Sequence, residues 1–358
     1  MSAPKNILIV RLGAMGDIIH AMPAVAALRK ASPESIIGWV VEKRWSELLT
    51  AHLSSRSGPD RPLVDWVHVV DTRRWRKSLL SGATRNEIRG ALKEVRETAY
   101  QLAIDFQGAI KSAVVAKLSV GRARFGFSDS WEPGASMLYT NRVATNSIHV
   151  IEQNFDLAEE VARAELGCAL DRATCAQLPQ NSDAEMEVTR RLALYGLHER
   201  FAILNPGAGW GAKQWPVEGY IETARTLGEG GVRSLVNYGP GEEELAKTIE
   251  RESEGHAIAA QFTISQLIAV TRNASLFIGG DTGPLHLAAA LKVPVVALFG
   301  PTDPARTGPY GTRSMVLRDP SSVTSHKRNR ETEAGLKNIS AEQVIAAARQ
   351  LLEGGRRA

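Results

Sequence analysis

Short apolar runs alternate along the chain with longer segments in which apolar residues recur every three or four positions. The first run, Ile7–Val10, is followed by Gly13 and Gly16 and then by a helical pattern over 18–31. A strand, a glycine turn and a helix make the first half of a βαβ unit. Because the same succession recurs to the end of the chain, the pattern predicts an α/β protein whose parallel strands are covered by helices on both faces.

The periodicity assigns the individual elements. In the first half it predicts strands at Ile7–Val10, 35–41, 64–70, 102–106 and Ala123–Phe127, and helices at 18–31, 44–51, 86–98, 107–118 and 149–167. In the second half it predicts strands at 201–204, 234–238, 276–278 and Val295–Phe299, and helices at 185–195, Val217–Glu229, 242–252, 265–271, 283–291 and 341–352. Residues 318–336 are polar and are expected to form a loop.

The pattern is interrupted once, over 170–183, where Pro179, Asn181 and Ser182 stand without apolar periodicity. Such segments separate domains, and a chain of 358 residues agrees with two of them. We therefore predict a doubly wound domain at 1–178 and a second at 179–336. A C-terminal helix at 337–358 follows, with packing back on the first domain as one option.

Composition narrows the class of protein. Hydrophobic residues make up 44% of the chain and charged residues 23%, as in soluble globular proteins. The net charge of +4 is small, so the position of basic clusters matters more than the total. Neither a signal-peptide core nor a run of about 20 apolar residues is present in the sequence, and Cys168 and Cys175 have no metal-ligand spacing. We expect a cytoplasmic protein with free thiols that can touch a membrane surface.

Gly13-Ala14-Met15-Gly16-Asp17 connects the first strand to its helix. The two glycines permit a tight turn, which places Asp17 at a helix start on the carboxyl edge of the sheet. A carboxylate there could remove a proton from an acceptor hydroxyl, or it could only cap the helix. The motif lacks the GxGxxG spacing of nicotinamide-binding proteins.

Asp281-Thr282-Gly283-Pro284-Leu285-His286 lies between a strand and a helix in the second half. Amides at the start of that helix favour an anion such as a diphosphate, and Thr282 adds a hydroxyl. Aspartic proteases also carry Asp-Thr-Gly, but the strand–helix context opposes that interpretation. His286 alone could be a satisfied helix histidine.

Two further segments suit anions. The loop from Asn205 to Pro216 contains Gly207-Ala208-Gly209 and Lys213, and a glycine-rich loop with a lysine can surround phosphates, although an exposed lysine on a plain loop is the alternative. Arg73-Arg74-Trp75-Arg76-Lys77 carries four cations in five residues. It suits an anionic partner or is a solvated basic turn. Nucleic acid is not favoured, because there is no second basic stripe and no recognised nucleic-acid module.

Taken together, these motifs resemble glycosyltransferase family 9, the heptosyltransferases. The similarity runs from Ile7 to about Leu352 and rests on RLGAMGDIIHAMPA at 11–24, GGDTGPLHLAAAL at 279–291 and FGPTDPARTGPYG at 299–311. DTRRWRKS at 71–78, AIDFQGAIKSA at 103–113 and WEPGASMLYTNRV at 131–143 resemble one subgroup of the family more than another. Gly207-Ala208-Gly209 departs from that subgroup, which can carry threonines before the lysine. We therefore expect backbone amides, not hydroxyls, to face phosphate here.

The resemblance implies a GT-B fold, with two Rossmann-like domains facing each other across a cleft. It implies an ADP-activated L-glycero-D-manno-heptose donor, a lipid A acceptor bearing 3-deoxy-D-manno-octulosonic acid (Kdo), inversion at the anomeric carbon, no metal and no cofactor. It makes Asp17 the base and Lys213 the phosphate-facing cation. The implied donor-binding residues are Gly207, Ala208, Lys213, Glu242, Asp281, Thr282, Gly283 and His286. The implied acceptor-binding residues are Gly16, Arg73, Arg74, Arg76, Lys77, Gln107 and Lys111.

Two other functions stay open at this point. The chain could be another transferase of the family with a different sugar or acceptor, or a nucleotide-sugar-binding protein without turnover. The carboxylate of Asp17 argues against the second, since simple binding needs no base. Donor competition with ADP-heptose distinguishes the first alternative from the transfer that the resemblance implies.

Overall fold

The computed structural model describes residues 4–55, 57–78, 80–120, 122–197, 199–325, 327 and 329–354. Their contacts form two compact units, Met1–Gln180 and Asn181–Ala358. The division falls two residues beyond the boundary predicted at 178. Each unit contains one parallel sheet with helices packed against it, so the predicted α/β class is confirmed.

The first unit is built on six parallel strands in the order β3-β2-β1-β4-β5-β6. Their bounds are Ile7–Val10 (β1), Ile37–Glu42 (β2), Trp66–Val70 (β3), Leu102–Asp105 (β4), Ala123–Phe127 (β5) and Asn141–Val143 (β6). All four residues of β1 are buried, and they pair with β2 on one side and β4 on the other. A central strand buried on both faces reads as a continuous apolar run, as this one does.

In the described part of this unit, five α-helices and three short 3₁₀ or π segments accompany the sheet. The helices are Met15–Ala31 (α1), Thr72–Lys77 (α2), Gly82–Glu97 (α3), Ile110–Ser119 (α4) and Val150–Val161 (α5). Two 3₁₀ segments lie at Lys43–Leu48 and Ala135–Leu138, and a π segment at Ala162–Leu166 extends α5.

The second unit repeats the architecture with the order β12-β11-β10-β7-β8-β9, again parallel. The strands are Phe201–Asn205 (β7), Arg233–Tyr238 (β8), Ala257–Gln261 (β9), Leu276–Gly280 (β10), Val295–Phe299 (β11) and Ser314–Arg318 (β12). The helices are Ser182–Leu194 (α6), Val217–Glu229 (α7), Glu243–Glu252 (α8), Ile264–Asn273 (α9), Gly283–Ala290 (α10), Pro304–Thr307 (α11), Ala334–Asn338 (α12) and Ala341–Gly354 (α13), with a 3₁₀ turn at Gly211–Lys213. None of the helices in the described ranges has the length and apolarity to span a bilayer.

The structure contains three strands that the sequence pattern did not predict, namely β6, β9 and β12. β9 reads Ala-Ile-Ala-Ala-Gln and has few of the β-branched residues that mark strands. β6 and β12 are edge strands; β6 has one apolar residue, Val143, and the apolar run of β12 is limited to Met315, Val316 and Leu317, which are exposed or half-buried. β12 and α12 also flank the polar stretch at 318–336 that was expected to be a loop throughout.

Residues 44–51 do not form the predicted α-helix. The segment Lys43–Leu48 is a 3₁₀ helix, and it ends where the amide of Leu49 donates to the carbonyl of Ser46. Such tight turns are stable only over short lengths. The segment is therefore a short connector between β2 and the residues that lead to β3.

The last helix, α13, packs on the sheet and helices of the second unit. Its buried face, which includes Val344, Ala348 and Leu351, joins the core cluster of β11 and α7. At its end the guanidinium of Arg200 donates to the carbonyl of Leu352 at 3.0 Å. The apolar face of α13 is thus already covered within its own unit; residues 355–358 lie outside the described ranges.

We expect Leu351→Ala to destabilise the second unit, because Leu351 is 7% exposed and lies in this core. Large-to-small substitutions in cores cost about 2–5 kcal/mol. Denaturant unfolding of the full chain, followed by circular dichroism, measures the loss. Gln350→Ala, on the exposed face of the same helix, is the control. Equal midpoints for the two variants would contradict the placement of α13 in the core.

Candidate active site

The turn after β1 brings Asp17 to the carboxyl edge of the first sheet. β1 lies between β2 and β4, where the strand order reverses, which is the usual ligand site of doubly wound sheets. Oδ2 of Asp17 accepts the amide of Ala14 at 3.0 Å and pairs with Nη2 of Arg11 at 2.8 Å. Its side chain is 45% exposed. Asp17 therefore stabilises the helix start and also presents a carboxylate at the surface.

Arg11 was not singled out from the sequence as a site residue. Its guanidinium is largely buried and donates to the carbonyl of Phe106 as well as to Asp17. It therefore ties the Asp17 carboxylate to the end of β4. Its position directly after β1 was the available signal.

Hydrogen bonds from residues in β2 and from the loop after β4 fix the loop that carries Asp17. The amide of Leu12 donates to Oε1 of Gln107 at 2.9 Å, and its carbonyl accepts the amide of Glu42 at 3.1 Å. The indole of Trp39 donates to the carbonyl of Arg11 at 3.0 Å. Gln107, predicted to bind the acceptor, thus uses its side-chain oxygen to hold this loop.

The buried carboxylate of Asp105, at the end of β4, holds the loop that contains Gln107 in place. Asp105 accepts hydrogen bonds from the hydroxyls of Tyr139 and Ser112, both at 2.7 Å, and from the amides of Gln107 and Gly108. Burial raises the pKa of Asp105. The four hydrogen bonds favour the ionised form and lower the pKa, but their effect is smaller than that of burial. Asp105 orients the residues around Gln107, and the sequence analysis missed this role.

The basic segment, expected to be a loop or turn after the third strand, forms the short helix α2 directly after β3. Arg73, Arg74, Arg76 and Lys77 are all exposed. Arg74 pairs with Glu87 at 3.0 Å, and the indole of Trp75 donates to the same carboxylate at 3.2 Å while its ring packs on the first core. Trp75 therefore packs against its own unit.

The two remaining residues predicted to bind acceptor lie on helices of the same unit. Gly16 is in the first turn of α1, next to Asp17. Lys111 is exposed in the first turn of α4, which follows the Gln107 loop. Loops after β1, β3 and β4 therefore carry the whole predicted acceptor set to one edge of the first sheet.

Three side chains of the second unit form a compact charged cluster. Nζ of Lys213 lies 2.7 Å from Oδ2 of Asp281, and Nε2 of His286 lies 3.0 Å from Oδ1 of the same carboxylate. The side chains of Lys213 and Asp281 are 16% and 7% exposed. The alternative of an exposed lysine on a plain loop is therefore excluded.

The electrostatics of this cluster keep the carboxylate charged. Burial alone would raise the pKa of Asp281, but the hydrogen bond and charge of His286 and the nearby Lys213 ammonium hold that pKa well below its usual range. Nζ of Lys213 also lies 4.9 Å from the ring centre of Trp210. Since both oxygens of Asp281 are engaged, Asp281 positions Lys213 and His286.

Thr282 and Gly283 begin α10 next to this cluster. Thr282 is the residue before the first helical turn, and its hydroxyl donates to the carbonyl of Gly280 at 3.2 Å. The positive end of the helix lies at Gly283. The start of α10 thus lies directly after Asp281, as the motif predicted.

The glycine-rich loop after β7 packs against Glu242. A Cβ on Gly207 would lie 2.1 Å from Cδ of Glu242, so a larger residue here would require the Glu242 side chain to move. The Glu242 carboxylate accepts a hydrogen bond from the amide of Gly239 at 2.8 Å. The carbonyl of Ala208 accepts one from Nε2 of Gln214 at 3.3 Å. The structure therefore brings Gly207 and Glu242 together, far apart as they are in sequence.

Two buried amides missed by the sequence analysis hold the ends of β7 and β8. Nδ2 of Asn237 donates to Oδ1 of Asn205 at 2.7 Å, and Nδ2 of Asn205 donates to the carbonyl of Gly207 at 3.0 Å. They fix where the glycine loop leaves the sheet. Within the described residues, no group of three or more His, Cys, Asp or Glu side chains is arranged to hold a metal ion.

The chain is similar to known proteins of one family. The family model described as "Glycosyltransferase family 9 (heptosyltransferase)" matches residues 88–337. Lipopolysaccharide heptosyltransferase 1 of Pseudomonas aeruginosa is 32% identical over 327 residues, which cover 87% of this chain and 82% of that protein.

Solved structures of heptosyltransferases are similar to this chain in fold. The Escherichia coli heptosyltransferase WaaC with ADP matches with a TM-score of 0.76 and 25% identity over 97% of this chain and 99% of that one. The same enzyme with ADP-2-deoxy-2-fluoro heptose matches with a TM-score of 0.74 and 26% identity over 98% and 99%. The two-unit fold of this chain is thus that of known heptosyltransferase structures.

Asp281→Asn should lower the free energy of unfolding at pH 7, because Lys213 then loses its buried counter-charge. A carboxyl whose pKa is depressed by folding stabilises above its unfolded pKa of about 3.9 and loses this effect as the pH falls further. The deficit of the variant against wild type should therefore narrow below about pH 4. Denaturant unfolding across pH measures it, and a deficit that grows towards acid pH would contradict the assignment.

Proposed function

The chain belongs to glycosyltransferase family 9, the heptosyltransferases, and on that premise we propose that it transfers L-glycero-D-manno-heptose from an ADP-activated donor to the Kdo region of lipid A. The solved relatives that hold ADP and a fluorinated ADP-heptose support the donor. The curated relative named heptosyltransferase 1, together with the segments at 71–78, 103–113 and 131–143, supports heptosyltransferase I over heptosyltransferase II.

The observation that carries this proposal is the Lys213–Asp281–His286 cluster. It lies in the loops after β7 and β10, where the strand order of the second sheet reverses. A cation held in place by a buried carboxylate, next to the positive end of α10, suits a diphosphate. We assign the diphosphate to Lys213 and the start of α10, and the nucleoside ribose to Glu242.

The proposed reaction is a single displacement that inverts the anomeric carbon. Oδ1 of Asp17 accepts the proton as the acceptor oxygen attacks the heptose, because Oδ2 is engaged by Arg11 and Ala14. The bond between the anomeric carbon and the diphosphate oxygen breaks, and ADP leaves with the electron pair. Lys213 stabilises the charge that develops on the diphosphate.

Catalysis by a positioned base contributes about 10²–10⁴-fold. Most of the acceleration must therefore come from orientation of the substrates and from stabilisation of the leaving group. The buried contacts of Lys213 supply that orientation on the donor side, since its ammonium is already held before ADP-heptose binds.

The acceptor side is assigned to the exposed cations of α2. Guanidinium groups bind carboxylates and phosphates through paired donors, and the proposed acceptor carries both. Near an anionic bilayer each cation adds about 1 kcal/mol of attraction. We therefore place the protein in the cytoplasm, in peripheral contact with the inner membrane.

Incubation with ADP-heptose and a heptose-less lipopolysaccharide, followed by mass spectrometry, tests the proposal. We expect the mass of one heptosyl residue to be added. A parallel reaction with an acceptor that already carries heptose tests heptosyltransferase II. Transfer only to the second acceptor would replace the assignment, and binding of ADP-heptose without transfer to either would indicate a non-catalytic binding protein.

Asp17→Ala should abolish transfer while ADP binding survives, because the base is lost and the donor loops are unchanged. Lys213→Ala is the paired variant, and it should weaken ADP binding and donor use. Calorimetry with ADP and steady-state kinetics measure both effects. Near-normal turnover in Asp17→Ala would refute the role of the carboxylate, and unchanged donor kinetics in Lys213→Ala would refute the donor assignment.

Replacing Arg73, Arg74 and Arg76 together by glutamine should raise the acceptor KM roughly tenfold or more and leave the donor KM almost unchanged. The effect should weaken at high salt, because exposed charges are screened. Arg163→Gln, an exposed arginine that pairs with Glu160, is the control. If the donor KM rises instead, the segment belongs to the nucleotide side.

A further inference from the structure

Arg44 lies directly after β2, at the same edge of the first sheet as Asp17. Its guanidinium lies over the indole of Trp45, with 4.6 Å between Cζ and the ring centre. Trp45 in turn packs on the β1 loop, since a Cβ on Gly13 would lie 3.0 Å from Nε1 of Trp45. A single aromatic ring therefore separates Arg44 from the loop that carries Asp17.

Strand pairing places Arg73 beside Arg44. β2 and β3 are parallel neighbours, with Glu42 opposite Val70, and Oγ1 of Thr72 donates to the carboxylate of Glu42. Arg44 follows Glu42 by two residues and Arg73 follows Thr72 by one. Arg44 and Arg73 thus follow the carboxyl ends of two adjacent strands, at the same edge of the sheet.

Neither guanidinium has a carboxylate partner that neutralises it. In the ranges that the structure describes, the ion pairs include Arg74 with Glu87 but none made by Arg44 or Arg73. Partial burial, followed by the charge of Arg73, lowers the pKa of Arg44, and only Glu42 acts in the opposite direction. The repulsion between two such cations is relieved when an anion binds between them.

On the basis of the proposed function, we propose that Arg44 and Arg73 form an anion site that binds a carboxylate or phosphate group of the acceptor. The stack on Trp45 fixes the plane of the Arg44 guanidinium and leaves its edge to donate two parallel hydrogen bonds. The proposed site extends the acceptor-binding surface from the basic segment after β3 to the loop after β2.

Steady-state kinetics with ADP-heptose and the Kdo-bearing acceptor test the site. Arg44→Gln should raise the acceptor KM by roughly tenfold, as expected for a lost hydrogen bond to a charged group, with the donor KM within about twofold of wild type. Arg44→Lys should recover only part of this loss, because lysine keeps the charge but not the paired donors. Arg163→Gln serves again as the control for removal of an exposed arginine.

A double-mutant cycle shows whether the two arginines bind the same group. If they do, Arg44→Gln combined with Arg73→Gln should raise the acceptor KM by less than the product of the two single effects. Single effects that multiply, or an acceptor KM unchanged in Arg44→Gln, would overturn the shared site.

A second measurement is independent of turnover. The indole N–H signal of Trp45, assigned by Trp45→Phe, is followed by NMR while inorganic phosphate is added to the full chain. It should shift in wild type and remain still in Arg44→Gln. A wild-type shift without any heptosyl transfer would overturn the proposed function and support the anion site, whereas transfer without such a shift would overturn the anion site.

Discussion

Parallel strand pairing is the constraint on which the functional arrangement depends. In a parallel sheet every strand ends at the same edge, so each loop that follows a strand leaves from that edge. Asp17 follows β1 and Arg73 follows β3, and in the second unit Lys213 follows β7 while Asp281 follows β10. Residues far apart in sequence are therefore neighbours without any contact specific to them. Both units have the same strand order relative to their first strand, so one frame is used twice.

The side chains at the carboxyl edges of the two sheets are held in position by buried polar groups that are not themselves part of the site. Asp105, Asn205 and Asn237 are buried, and their side chains form hydrogen bonds with the backbone or with neighbouring side chains. A buried polar group costs free energy unless it is bonded, so such groups hold the loops above them in one conformation. Asp281 belongs to the same class, since its charge is tolerable only with Lys213 and His286 in place.

Much of this arrangement could be predicted from the sequence, because apolar runs and glycine turns are local signals. β1, α7 and β11 have the bounds that the pattern predicts, and the family motifs identified Asp17, Lys213 and Asp281. β9 was not predicted because alanine-rich strands carry no distinctive pattern. Arg11 was missed although it directly follows β1, whereas Asn237 and Arg44 could not be identified because the residues that act on them, Asn205 and Arg73, are distant in the chain. The roles of Gln107 and Glu242 in packing likewise exist only once the loops have met.

The position of α13 also matters to anyone who attaches the protein to a surface. The helix ends beside Arg200 and Arg313, which directly precede β7 and β12, and so it ends at the amino edge of the second sheet. Lys213 and Glu242 lie at the opposite, carboxyl edge. An affinity handle or an immobilising linker attached at this helix end is therefore on the side of the second sheet opposite to the loops that carry Lys213 and Glu242.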